Sequence, residues 1–334
     1  FMTFSRAALR VKNLGNTLVT TVPLLMCSLS ILFCYKAGLF NIGAAGQYVI
    51  GAGVALYAAL GWGLPWYLCI LLAIVAGAVL GTVSGLLKAY CNVNEVISGI
   101  MLNWISLYLV NMLLNLVKEP TSPYTKSVLG VNSKAIIPSL GIGKLLNNNY
   151  ATIAIPMAVL VAIIIWVVLD KTKFGYELKA TGYNRHAAKY CGMAEKRNIV
   201  VTLVIGGALA GFGAALYYLT GIMQWSCSES SVPAMGFNGI AAAFLGGLHP
   251  IGSIFSSYFI QHITSGGAYI DKMVYSSQIS DLISAIIIYL CGFVFFAKTV
   301  LNKWLMTRDA AAARKLEEKQ AAAVSSEEKG GKAE

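Results

Sequence analysis

Charge is what this sequence has least of. Only 12% of its 334 residues are Asp, Glu, Lys or Arg, about half the share of an ordinary soluble domain. Carboxylates are scarcer than cations, 14 against 25, and inside the long apolar stretches they nearly vanish. Glu95 and Asp281 stand at the starts of two such stretches, and His262 is the one other ionisable candidate. Transporters driven by protons or sodium carry the coupling ion on buried carboxylates. This chain lacks such a relay, so the energy for any transport it performs comes from elsewhere. It also lacks GxxxxGK[ST], which excludes a P-loop nucleotide site, and it has no HExxH, GxSxG or nucleophile–base set. It therefore reads as a non-enzyme. The seven cysteines, Cys27, Cys34, Cys69, Cys91, Cys191, Cys227 and Cys291, form no CxxC pair and no metal-ligand spacing. They read as small buried hydrophobes. His186, His249 and His262 lie on different elements and read as structural or loop residues, so no metal site is expected.

What fills the chain instead is apolar. Hydrophobic residues make up 57% of it, and the mean hydropathy is +0.69. With several apolar runs of about 20 residues, this predicts an all-α polytopic membrane protein. Nine segments run approximately over 14–34, 39–60, 64–87, 95–117, 150–169, 199–221, 235–248, 250–268 and 279–301. The 235–248 segment is too short to cross alone and holds Gly236, Gly239, Gly246 and Gly247. It ends at His249-Pro250 and reads as a broken or half helix continued by the next span. The basic residues lie between spans and do not interleave with aromatics, so the net charge of +11 is a topology signal and not a nucleic-acid surface.

One polar stretch stands apart. From Lys171 to Arg197 there are seven Lys or Arg against two Glu. Within it, Asn184 can cap a short helix, RHAAKYC, which Gly192 stops in the left-handed conformation. Ala187 and Ala188 would leave one side of that helix nearly bare, shaped for another protein's groove. The alternative is a solvated positive-inside loop. Placing this stretch in the cytoplasm, with 235–248 counted as a crossing, also puts the loops at Lys36 and Lys88 and the C-terminal tail inside. Residues 1–13 and the 118–149 loop then fall outside, with three and four basic residues. A further span before Phe1 would reconcile Arg6, Arg10 and Lys12 with that position. The expected organisation is a pre-membrane segment at 1–13, a transmembrane domain over 14–303 with its cytoplasmic loop at 171–198, and an exposed tail at 304–334.

Uncharged polar residues mark a candidate solute path. In the fourth span Trp104, Tyr108, Asn111 and Asn115 are spaced 4, 3 and 4, on one helix face, with Asn103 and Ser106 on the adjoining strip. Amides with aromatics suit a neutral polar solute with a flat or ring-shaped body. Interhelical hydrogen bonding is the equal alternative for each Asn. Glu95, next to Asn94, can cap the start of this helix. The second span opens GLFNIGAAGQ, where glycines allow close approach or unwinding and Asn41 and Gln47 supply polar groups. Phe40-Asn41-Ile42-Gly43-Ala44-Ala45 is echoed by Phe237-Asn238-Gly239-Ile240-Ala241-Ala242. Repeats at matching positions of two halves often flank a midplane path.

GLFNIGAAGQ (38–47), NEVISGIMLN (94–103), KATGYNRHAAKYCGM (179–193) and GFNGIAAAFLGGLHPIG (236–252) resemble, in order, four blocks of the permease subunits of ABC importers for nucleosides and simple sugars. These belong to the ribose and branched-chain amino acid permease superfamily, and the resemblance spans about residues 14–300. Where that family usually carries Glu, Ala45 stands here. The resemblance implies about ten helices and translocation of a neutral polar solute by alternating access. A purine nucleoside is the first expectation and a ribose-like sugar the second; an ion-coupled secondary transporter is the rival of another class. The implied partners are a cytoplasmic ABC ATPase carrying ATP and Mg, a second permease subunit, identical or paralogous, and an extracytoplasmic solute-binding protein. No cofactor is expected on this chain, and the implied location is the bacterial inner membrane. The path residues expected are Asn41, Gln47, Asn94, Glu95, Asn103, Trp104, Tyr108, Asn111, Phe237 and Asn238. The ATPase-coupling residues expected are Ala180, Thr181, Gly182, Asn184, Ala187, Ala188, Tyr190 and Gly192.

Overall fold

The computed structural model describes residues 11–117, 124–266, scattered positions between 282 and 293, and 300–308. Most of the expected span at 279–301, with Asp281, Cys291 and the segments 1–10 and 309–334, lies outside the described residues. Contacts group the chain into one unit through Ala285 and a second from Ile286, in which residues 301–308 are helical.

Long helices form where apolar runs are bounded by caps and turns. They are α1 (Val11–Lys36), α2 (Ala44–Leu60), α3 (Trp66–Cys91) and α4 (Glu95–Asn115), then α5 (Ile142–Leu145), α6 (Ala154–Lys171), α7 (Lys173–Tyr183) and α8 (Arg185–Tyr190). After them come α9 (Glu195–Tyr218), α10 (Met235–Leu245) and α11 (Pro250–Gly266). Among the described residues, five helices are long and apolar enough to cross a membrane: α1, α3, α4, α6 and α9. The chain is a multi-pass, all-α membrane protein. Its only described sheet is a two-residue antiparallel pair, β1 (Thr125–Lys126) with β2 (Trp225–Ser226), which ties the 124–152 segment to the stretch after α9. The 118–149 stretch, expected as a loop, thus contributes one strand of this pair and carries α5.

α1 and α9 are enclosed by the others, with 89% and 72% of their apolar windows buried, whereas α3, α4 and α6 keep most of theirs open. Lipid tails are as apolar as leucine, so such helices associate through close packing. Glycine supplies it. A Cβ on Gly77 or Gly207 would strike the other residue's carbonyl, and a Cβ on Gly211 would strike that of Ala73, so α3 and α9 touch backbone to backbone.

Two contacts fix which ends lie together. Asn148 donates to Asn16 Oδ1 at 2.7 Å, placing the start of α1 beside the 124–152 segment. Gly182, at the end of α7, packs on Ala37 and Gly38, just past the end of α1. The basic loop therefore sits at one end of α1, and the 124–152 segment at the other.

The short segment at 235–248 is a half helix, as expected. At about 1.5 Å per residue, the 11 residues of α10 rise about 16 Å, half a bilayer core. It is not continued by the next span, however. Gly246, Gly247 and Leu248 form a tight turn, with φ of +66° and +55° at the last two, and α11 doubles back. Ser256 donates to Ala242 O at 2.6 Å, and Gly252 packs on Gly246. The pair is an antiparallel hairpin, because close glycines and a left-handed pair of residues permit a reversal that a single broken rod would not need.

Candidate functional site

α2 begins inside the molecule. After α1 closes at the basic end, residues 37–43 run without helix, and Gly43 offers α2 no side-chain cap. Asn103 on α4 provides one: its Oδ1 accepts from Gly46 N at 2.7 Å while its Nδ2 donates to Ile42 O at 3.1 Å. Asn41 donates to Gln47 Oε1 at 2.9 Å and to Ser30 Oγ at 3.2 Å. Asn41, Gln47 and Asn103 are all buried. These three expected path residues thus form a bracket that satisfies a non-helical stretch of backbone within the protein, the condition under which such backbone is tolerated at membrane depth. For Asn103 the structure favours the alternative, interhelical hydrogen bonding, over direct contact with solute.

The two echoed motifs meet. A Cβ on Gly236 would lie 2.4 Å from Ala45 Cα, and Ala45 is buried. From this crossing α2 runs to the end where Asn132 donates to Ala59 O at 2.8 Å, and α10 runs the opposite way, toward the basic end. Two helix starts thus face each other near the centre from opposite directions. The tight crossing also accounts for alanine at position 45, where a longer side chain has no room.

Beside this crossing lies an open aromatic face. Trp104 and Tyr108 are 43% and 60% exposed and stack at 6.2 Å between centroids, with 25° between planes. Asn111, one turn on, is covered: it accepts from Trp225 Nε1 at 2.9 Å and donates to Glu229 O at 2.8 Å. That pair of bonds pins the stretch leading from β2 into α10. Ser106 is buried and Asn115 exposed. Phe237 is 40% exposed and Asn238 half-buried at the start of α10. Asn94 caps α4 through Val96 N at 2.8 Å, and Glu95 pairs with Lys88 at 2.6 Å. These last two hold the end of α4 and stand apart from the aromatic face.

At the basic end, the expected short helix is present with both its caps. Asn184 Oδ1 accepts from Ala187 N at 3.1 Å, and Gly192 has φ +78°. It is preceded by an 11-residue helix within what the sequence presents as loop, α7, capped by Thr172 accepting from Gly175 N at 3.1 Å. The basic stretch is thus a pair of helices, α7 and α8, joined at Asn184. The bare face expected from Ala187 and Ala188 is divided: Ala187 is exposed, but Ala188 is buried against the chain itself. Two alanines in succession point about 100° apart on a helix, so they do not share one free face. Tyr183, at the end of α7, and Tyr190, one turn on from Ala187, are each 93% exposed. Thr181 is buried, with Asn198 Nδ2 donating to its hydroxyl at 3.1 Å, and Ala180 and Gly182 are half-buried. Among the described residues, no group of three His, Cys, Asp or Glu is placed to hold a metal.

The profile of the family described as "Branched-chain amino acid transport system / permease component" matches residues 13–292. The chain belongs to this family. Among curated proteins, the permease is similar to the nucleoside ABC transporter permease protein NupB of Lactococcus lactis, 31% identical over 92% of this chain and 86% of that protein. It is 30% identical to the guanosine ABC transporter permease protein NupP of Bacillus subtilis, over 86% of this chain and 83% of that one. It is 28% identical to the glucose ABC transporter permease protein TsgB13 of Haloferax volcanii, over 86% of this chain and 78% of the other. No solved structure matches it.

Two residues that hold these elements in place are not singled out by the sequence, Trp225 and Asn198, whose side-chain partners are 114 and 17 residues away. Asn198 has a visible signal, an amide in the first turn of an apolar helix; Trp225 has none beyond its residue type. Gly38, by contrast, makes the close backbone approach expected of the glycines in 38–47, here to Gly182.

Proposed function

We propose that this permease is the membrane-spanning subunit of an ATP-driven ABC importer that moves nucleosides, purine nucleosides first, into a bacterial cell across its inner membrane. The observation that carries this is the similarity to relatives named for nucleosides and for guanosine, at about the same identity over most of both chains. The stacked Trp104–Tyr108 pair supports it, since a flat π surface suits a planar base. A simple-sugar cargo is the second reading, favoured by the glucose-permease relative. An ion-coupled mechanism has less support: in the described spans Glu95 and Asp170 lie at helix ends, each paired with a lysine, Lys88 and Lys179.

In this reading a second permease subunit faces the open sides of α3 and α4, a solute-binding protein docks at the end carrying residues 124–152, and an ATPase receives the α7–α8 pair. ATP binding closes the ATPase subunits and shifts the equilibrium between outward- and inward-facing states by stabilising them differently, and hydrolysis resets it. The test is purification of the complex followed by identification of its bound proteins and solute. A co-purified ATPase and a nucleoside are expected; a sugar in their place would move the cargo to the second reading.

A further inference from the structure

The expected coupling residues Thr181 and Gly182 are turned inward, where they meet the route to the solute path. An ideal Cβ on Gly182 would lie 2.6 Å from Ala37 C, 2.7 Å from Gly38 N and 2.8 Å from Lys36 O. One on Gly38 would lie 2.9 Å from Gly182 Cα and O. This is backbone against backbone, with no side chain between that could yield, and close-packed contacts of that kind transmit displacement. Gly38 holds φ +73° and closes α1 by donating to Tyr35 O, which leaves little slack on its own side. Two further ties triangulate the contact from α9: Asn198 reaches Thr181, and Cys34 Sγ donates to Thr202 O at 3.6 Å. Beyond Gly38 only three residues separate it from Ile42, whose carbonyl is held by Asn103, next to Trp104.

We propose that the Gly182–Gly38 contact is the joint through which movement of the α7–α8 pair reaches the 39–47 stretch and the aromatic face of α4. The proposal rests on the importer reading above, and Gly38 and Asn198 are its positioning residues. A shift of α7 carries residues 36–38 with it. The 39–43 backbone then moves the cap that Asn103 places on α2, changing the relation of α2 to α4 beside Trp104.

The test uses the complete complex in proteoliposomes, with Gly38→Ala as a wedge at the joint and Asn198→Leu as a milder variant that removes only the side-chain tie. ATPase retention, ATP hydrolysis and guanosine uptake are measured together, with hydrogen exchange at the amides of 39–47. Both variants are expected to retain the ATPase and hydrolyse ATP at the parent rate. Uptake per ATP should fall about fivefold or more for Gly38→Ala and about twofold for Asn198→Leu. In the parent, ATP should change exchange at Gly46, and in Gly38→Ala it should not. Should Gly38→Ala fail to assemble, Asn198→Leu decides. Parent-like uptake per ATP in every variant that assembles would overturn the joint. A parent complex with no ATP-dependent uptake would instead remove the importer reading. The isolated permease then judges the joint: faster exchange at Gly46 in either variant supports it, and unchanged exchange overturns it.

Discussion

At Asn103 a single side chain holds a carbonyl from one stretch of backbone and an amide from the first turn of the next helix. Losing it leaves both groups buried without partners, which costs about 1–3 kcal/mol for each. Asn103→Ala should therefore lower the unfolding midpoint of the detergent-solubilised protein, with uptake falling in step with folded protein. Lost uptake at an unchanged midpoint would make Asn103 a solute contact instead. Trp104 and Tyr108 should behave the opposite way, because they are exposed and stacked and little of the fold leans on them. A base–aromatic stack is worth about 1–3 kcal/mol, so Trp104→Ala should raise the KM for guanosine roughly fivefold or more while leaving the unfolding midpoint of the permease unchanged. Transport assays at graded solute concentration decide this, and a parent-like KM would take the aromatic face out of the path.

The helix pair at the basic end shows what a sequence reveals of an element and what it hides. Asn184 and Gly192 announce α8 because capping and left-handed stops are local chemistry, confined to a few neighbouring residues. The same is true of the apolar spans and of the glycine-rich half helix, whose existence followed from length alone. Whether α10 continues or reverses depends on Ser256 meeting Ala242, and whether Ala188 is free depends on what folds over it. Such contacts depend on partners far apart in sequence; even where close approach is expected, as at Gly38, the sequence does not name Gly182 as its partner. The division between Ala187 and Ala188 gives a direct experiment. Ala187→Trp should leave the permease folded but prevent retention of the ATPase, as read by co-purification. Ala188→Trp should instead overpack the chain's own interior, at about 1–3 kcal/mol, and lower the unfolding midpoint. ATPase retained by Ala187→Trp at the parent level would remove α8 from the interface.

At the largest scale, the unit through Ala285 carries the α7–α8 pair at one end of α1 and the 124–152 segment at the other. In a background without native cysteines, Ser133→Cys should react with an impermeant thiol reagent added outside, and Arg185→Cys only after permeabilisation. The reverse pattern would invert the orientation. The central claim is that ATP, bound by a partner, drives a nucleoside through this subunit. It is tested most directly by guanosine uptake into proteoliposomes holding the purified complex, with ATP supplied on the ATPase side and ion gradients collapsed by an uncoupler. The account predicts uptake that requires ATP, survives the uncoupler and is competed by unlabelled guanosine but not by ribose. Uptake that persists without ATP and disappears with the uncoupler would contradict it.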